Sequence, residues 1–392
     1  MATPAMDDNA MASALWEAAK AGNTAKARRL LDEGAPVDWK NDADNGFTAL
    51  LAAASGGHTD TVGLLLDRGA DLEAKDRYGD TVLVWASQSG HTDTVELLLD
   101  RGADLEAKNE DGATAIVRAA SEGHVDTVVL LANRGADLEA KDRDGATALV
   151  LAVFHGLNDM VELLLDRGAN LEAKGPDGDT ALVRAASEGH TDTVELLLDR
   201  GANLEAKASY GATALVWAAS EGRKDSVELL LDRGADLEAK DRNGATALAV
   251  AASEGHKDMV ELLLDRGADL EAKDRYGATA LAVAASEGHK DTVELLLDRG
   301  ADLEAKDRYG ATALAVAASE GHKDTVELLL DRGADLEAKN HAGKDALALC
   351  TSAACTEVLL NAEQLQRWIR RRLLTLWLCA QASIRMAKAA RS

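Results

Sequence analysis

Apolar and polar positions recur along most of the chain with a period of 33 residues. In residues 274–306, DRYGATALAVAASEGHKDTVELLLDRGADLEAK, the Ala-rich stretch 279–286 predicts a short helix, with Thr279 as N-cap and Gly288 as its stop. A second helix is predicted over 290–299. There Val293, Leu296 and Leu297 recur at helical spacing while Asp291, Glu294 and Asp298 face water, and Gly300 ends the helix. The remaining ADLEAKDRYG is rich in turn formers and reads as an extended turn or hairpin leading to the next unit.

Glycine marks the register. Gly46, Gly79, Gly112, Gly145, Gly178, Gly211, Gly244, Gly277, Gly310 and Gly343 are spaced 33 residues apart. Residues 307–339 copy 274–306 without a change, whereas 142–174 departs from the pattern with Phe154, His155 and Leu157. Tandem duplication and consensus design both produce such copies, and the divergent units favour a natural history. Helices this short cannot bury their apolar faces alone, so each unit needs neighbours and the pattern predicts an all-α stacked solenoid.

The 33-residue period, the core G-x-T-x-L-x-x-A-A-x-x-G-H and the trailing L-L-L-x-x-G-A-D-L-x-A resemble ankyrin repeats. The resemblance implies helix-turn-helix units with β-hairpin loops, about 11 repeats including caps. Where the family commonly has T-P-L-H, this chain has T-A-L-A at 312–315 and T-A-L-V at 213–216. Ala suits that helical turn, but the missing His removes a family hydrogen bond to the Thr hydroxyl. The expected organisation is a flexible N-terminus (1–12) and a repeat domain (13–360), followed by a basic amphipathic C-terminal helix (361–392). The repeat domain comprises an N-cap (13–42), nine full repeats (43–339) and a degenerate last repeat (340–360). Arg28 and Arg29 give the first unit the polar outer face a terminal repeat needs.

Composition narrows the function. The 392 residues are 46% hydrophobic but only 3% aromatic, so the interior must be built from Ala, Leu and Val. A formal charge of −25 disfavours nucleic acid as a partner and favours a basic one. Cys350, Cys355 and Cys379 are too few for a disulfide framework. No signal-peptide pattern or long apolar run stands out, so the expected location is cytoplasmic, with the nucleus as the alternative.

Seven of the nine histidines occupy one repeat position. The resemblance implies that they stabilise the turn between helices, and metal or acid–base sites need unlike groups around one point. The Asp-Leu-Glu and second-helix carboxylates recur in the same way and read as a solvated face. No catalytic residue, metal site or cofactor is expected. Variable positions carry more information. Six residues after each glycine stand Ala52, Trp85, Arg118, Leu151, Arg184, Trp217 and then Val250, Val283 and Val316. The resemblance places this column near the concave partner-binding surface, and Trp and Arg are common interface anchors. Packing between repeats explains them equally well. Tyr78, Tyr210, Tyr276 and Tyr309 precede the glycine at the hairpin tips and either contact partners or pack on the next hairpin.

Residues 361–392 carry seven basic side chains against one acid. Leu365, Ile369, Leu373, Leu376, Trp377 and Ile384 fall mostly at three- or four-residue steps, as in an amphipathic helix. The simplest role is a cap over the last repeat. Leu365, Gln366 and Arg370 resemble the first half of an IQ motif, and a basic helix carrying Trp368, Arg371, Arg372 and Trp377 also suits a calmodulin-like partner or an anionic membrane surface. The expected function is a non-catalytic scaffold or adaptor for protein partners, acting as a monomer or as a subunit of a hetero-complex. The alternative is a calcium/calmodulin-responsive or membrane-peripheral adaptor acting through the tail.

Overall fold

The computed structural model describes residues 7–389, and in the last helix the side chains of 369–371, 375–376 and 378–389 fall outside that description. The described residues form 22 α-helices, numbered α1–α22 in chain order. They fall into two compact units, Met1–Ser209 and Tyr210–Ser392.

The predicted unit is met closely within the second of these. α17 (Ala280–Glu287) is capped by Thr279, whose hydroxyl accepts from the Ala282 N–H at 3.4 Å, and ends at Gly288 in the left-handed region. The threonine thus caps its own helix at this and most equivalent positions although the family histidine is missing. Thr114 and Thr213 are the exceptions, with buried hydroxyls that have no hydrogen-bond partner. α18 (Lys290–Asp298) packs against α17. Leu281, Ala284 and Ala285 of α17 and Val293 and Leu296 of α18 are fully buried. Each leucine so buried contributes roughly 1.5–3 kcal/mol. The small residues let α17 pack closely on its counterparts α15 (Ala247–Ser253) and α19 (Ala313–Glu320), which accounts for the Ala-rich, aromatic-poor composition.

The loops are tighter than hairpins. No strand forms among the described residues, and only the bridges Asn41–Phe47 and Lys75–Thr81 are recorded. In the representative loop the Asp274 N–H donates to the Ala278 carbonyl at 3.1 Å, and Asp274 Oδ1 accepts from the N–H groups of Tyr276 and Ala278 at 2.8 Å. One side chain thereby satisfies donors that a longer ladder would have used. Successive loops are joined by single backbone bonds, such as Arg308 N–H to Tyr276 O at 2.8 Å.

Three further ties recur between neighbouring repeats. The histidine column donates from Nε2 to a backbone carbonyl 36 residues earlier, as in His289 to Ser253 at 2.8 Å and His91 to Ser55 at 3.0 Å. A carbonyl only accepts, so Nε2 carries the proton. Arg332 bridges Asp298 at 2.7 Å and Glu294 at 2.8 Å, and Arg134 and Arg200 do the same to their predecessors. Glu271 accepts from the Asp302 N–H at 2.8 Å. The recurring carboxylates are therefore solvent-facing and also employed in joining repeats. Each exposed ion pair contributes little alone.

The ends differ from the sequence expectation in two places. α1 (Asp8–Lys20) starts inside the span expected to be flexible, because Asp7 Oδ1 caps the Ala10 N–H at 2.6 Å and Ala12, Leu15 and Trp16 are buried. Arg28 and Arg29 of α2 (Thr24–Asp32) are exposed. At the other end, α21 (Ala346–Leu349) is a single turn, and α22 (Ala353–Ala389) runs through the boundary expected at 360. α22 packs on α20 (Lys323–Asp331) and α21 through its first turns, where Cys355 and Leu359 are buried. Thr351 supplies the tie that the lost histidine would have made, donating to the Ser319 carbonyl at 2.7 Å.

Candidate interaction surface

The variable column sits on the first helices, as the sequence suggests, and apart from the buried Ala52 its side chains are half-buried. The polar ends of Trp85, Arg118 and Arg184 are engaged by loops of their own repeat. Trp85 donates from Nε1 to Asp76 Oδ2 at 3.1 Å and packs edge-to-face on Phe47, the centroids 5.0 Å apart. Arg118 donates from Nη2 to Asp111 at 3.0 Å, while its Nε is buried without a partner. Arg184 holds Asp179 at 2.7 Å and Asp177 at 3.2 Å, lies 3.7 Å from Glu188, and sits 5.8 Å over the Phe154 ring. Leu151 is half-buried. Trp217 resembles Trp85 in position, but its loop has Ala208 where Asp76 stands, and its buried Nε1 has no acceptor.

Asp80 and Asp179, which the sequence reading passed over, explain much of this arrangement. They occupy the position after the repeat glycine, where most units have Ala, and both are buried. Burial, reinforced by the nearby Asp76 carboxylate, pushes the Asp80 carboxyl above its ordinary range, although the Asn109 amide donates to it at 2.7 Å and works in the opposite direction. Asn109 replaces the aspartate that most loops carry there, and the residue at the equivalent position of the loop after Asp179 is Ala208. Neither following loop carries a carboxylate at that position. For Arg184, burial works against the charged form, but the Asp179 charge and hydrogen bond more than offset it and hold the guanidinium firmly protonated. The signal in the sequence was the departure from Ala at these two positions.

A pH dependence follows. A carboxyl whose folded-state pKa is raised opposes folding when ionised, above that pKa, and contributes nothing below the ordinary aspartate range. Asp80→Asn is therefore expected to raise the thermal midpoint at neutral pH, with the gain fading as pH falls through and below that range. A gain that persists undiminished in acid would show that charge is not the cause. Calorimetry at several pH values is the measurement.

At the loop tips Tyr78, Tyr210 and Tyr309 are 55%, 65% and 55% exposed. Tyr276 is half-buried between Arg275 at 4.7 Å and Arg308 at 4.5 Å, and Arg308 also lies 4.7 Å over Tyr309. One tyrosine thus packs on its neighbouring tip while the other three present their rings to solvent. Phe154, at a position otherwise Ser or Gln, is 45% exposed beside Arg184.

In the tail, Leu365, Trp368 and Trp377 are exposed, and Arg372 lies 5.0 Å over the Trp368 ring. Gln366 is half-buried and lines a shallow cleft with Leu336, Asp345 and Arg367. The side chains of Arg370 and Arg371 lie outside the described residues. Among the described residues no three His, Cys, Asp or Glu side chains gather as metal ligands, and no helix is long and apolar enough to cross a membrane.

Comparison with protein families matches ankyrin repeats, in sets of three copies, over residues 15–109, 105–175, 170–241, 237–307 and 276–340. Comparison with curated proteins gives no match. Repeats matched through so much of the length, with the cap, turn and stacking geometry described above, make this chain a member of the ankyrin-repeat family.

Proposed function

We propose that the chain is a non-catalytic scaffold that binds protein partners through its first-helix face and loop tips. Ankyrin repeats are in general protein-interaction modules. The observation that carries the reading is the exposure of Tyr78, Tyr210 and Tyr309 at the loop tips, where at Tyr78 and Tyr309 the backbone N–H is already held by the aspartate two residues earlier. A large ring held on a rigid loop loses little entropy on binding. The half-buried Trp85 and Trp217 stand in the same repeats as Tyr78 and Tyr210, Arg118 and Arg184 take the equivalent position in repeats whose tips are Asp111 and Asp177, and basic partners are favoured by the net charge. A cytoplasmic or nuclear location accompanies this reading.

The triple substitution Tyr78→Ala, Tyr210→Ala, Tyr309→Ala leaves the packed core untouched. It is expected to lower recovery of specific partners in quantitative affinity purification about tenfold or more. Circular dichroism should be unchanged. Undiminished recovery by the folded variant would remove the tips from the interface.

A second reading makes the basic tail a binding element in its own right, for a calmodulin-like protein or a membrane surface. It is favoured by the exposed Leu365, Trp368 and Trp377, which a helix serving only as a cap would bury.

A further inference from the structure

The tail helix has an arrangement of exposed apolar side chains that distinguishes between kinds of partner. Trp368 and Trp377 are 55% and 58% exposed, and Leu365 and Leu374 are both 57% exposed. Each pair is separated by nine residues. At 3.6 residues per turn that is about two and a half turns, so the members of each pair point to opposite sides of the helix. Leu373, 59% exposed, adds a further direction. α22 packs on α20 and α21 through its first turns, Glu363, Gln366 and Arg367 still line a cleft with Leu336 and Asp345, and Leu359 is the last of its described side chains to be buried.

A flat surface can cover only one side of a cylinder. A helix lying in the plane of a bilayer would bury Trp377 and leave Trp368 in water, or the reverse. Only an enclosing site desolvates both pairs. Charge selects among enclosing sites: residues 361–392 have seven basic side chains and one acid, so a bundle made of several copies of this helix would gather like charges. An acidic groove with apolar walls matches both properties.

Resting on the reading of the tail as a binding element, we propose that α22 beyond Arg367 is the target of an acidic protein that closes around the helix. Anchors from opposite sides of the helix, Trp368 with Trp377, are buried together with Leu374, and Arg372 meets the acidic rim. This is the helix-in-groove mode of recognition with the groove closed on itself.

The test uses the full chain with calcium-loaded calmodulin as the probe, an acidic two-lobed protein that encloses helices. Vesicles of phosphatidylserine and phosphatidylcholine form the comparison arm. Titration calorimetry is expected to show a one-to-one complex, with Trp368→Ala and Trp377→Ala each weakening it about tenfold. Both tryptophans are more than half exposed, so circular dichroism and the unfolding midpoint should not move. Loss of affinity from only one of the two would indicate a flat surface and overturn the proposal. Binding to vesicles without binding to calmodulin would overturn it while leaving the tail as a binding element. Binding to neither would remove both readings of the tail. Concentration-dependent self-association abolished by either substitution would assign the helix to a second copy instead, and would equally overturn it.

Discussion

Arg184→Ala is expected to destabilise the chain by about 3 kcal/mol, because it strands Asp179 as a buried charge without its partner. The Asp179 side chain is 5% exposed, and Arg184, itself 20% exposed, supplies its Nε donor at 2.7 Å. The other carboxylate oxygen, Oδ1, is buried without a hydrogen bond, so nothing nearby compensates once the guanidinium is gone. Removing the charge as well should restore most of the loss, since Ala occupies the Asp179 position in most units. The double variant Arg184→Ala, Asp179→Ala is thus expected to be more stable than Arg184→Ala alone by at least about 1.5 kcal/mol. Urea titration of wild type, both single variants and the double variant gives the coupling. Simple additivity would show that the two residues do not depend on each other. The double variant also separates two roles of Arg184: it lacks the side chain a partner would meet but not the stability of the repeat.

Gly255→Ala should cost about 3 kcal/mol, against about 1 kcal/mol for Gly267→Ala in the same repeat. Both glycines have positive φ, 73° and 91°, so both pay for placing a Cβ in the left-handed region. They differ in surroundings. A Cβ on Gly255 would lie 2.5 Å from Nδ1 of His289, whereas one on Gly267 meets nothing within 4 Å. His289 cannot withdraw freely, because its Nε2 holds the Ser253 carbonyl at 2.8 Å. Adding His289→Ala to Gly255→Ala removes the collision but also that hydrogen bond, so the double variant should recover only part of the loss. Thermal unfolding monitored by circular dichroism checks the order. Equal costs at the two glycines would mean that backbone strain alone is at work and that the histidine contact is soft.

The repeat, its two helices and their caps were legible because each is fixed by local chemistry repeated many times: Thr before the Ala-rich run, Gly after it, Leu at helical spacing. The ties between repeats were less legible. Nothing in the local pattern says that a histidine will reach a carbonyl 36 residues earlier, or that Arg332 will find Asp298 and Glu294 and not water. The candidate surface was legible as a column of unlike residues, but not the engagement of its polar ends, which depends on Asp76, Asp111 and Asp177 folding back over the helix. Asp80 and Asp179 escaped notice because acidic residues are common in this chain; the departure from Ala marks their positions, but their burial is not written in the composition. The N-terminal residues 8–12 were expected to be flexible because they lack the repeat motif, yet a single capping aspartate suffices to start α1 there. Likewise the change in composition near 360 suggested a boundary, but helical propensity does not change with charge and α22 continues through it.

Every recurring tie described above reaches the immediately neighbouring repeat and stops there. The joint between any two adjacent units of the common type is chemically the same joint, with the same imidazole, guanidinium and glutamate closing it. Length is therefore a free variable for this architecture: 33 residues can be added or lost between two like units, and the new junction finds its partners already in place. The identity of 274–306 and 307–339 has that mark, a module inserted where it required no adjustment on either side. The unit with Leu157 in place of the histidine does not offer the same junction, and a copy spliced against it would have to match an apolar contact to Gly123 instead of a hydrogen bond.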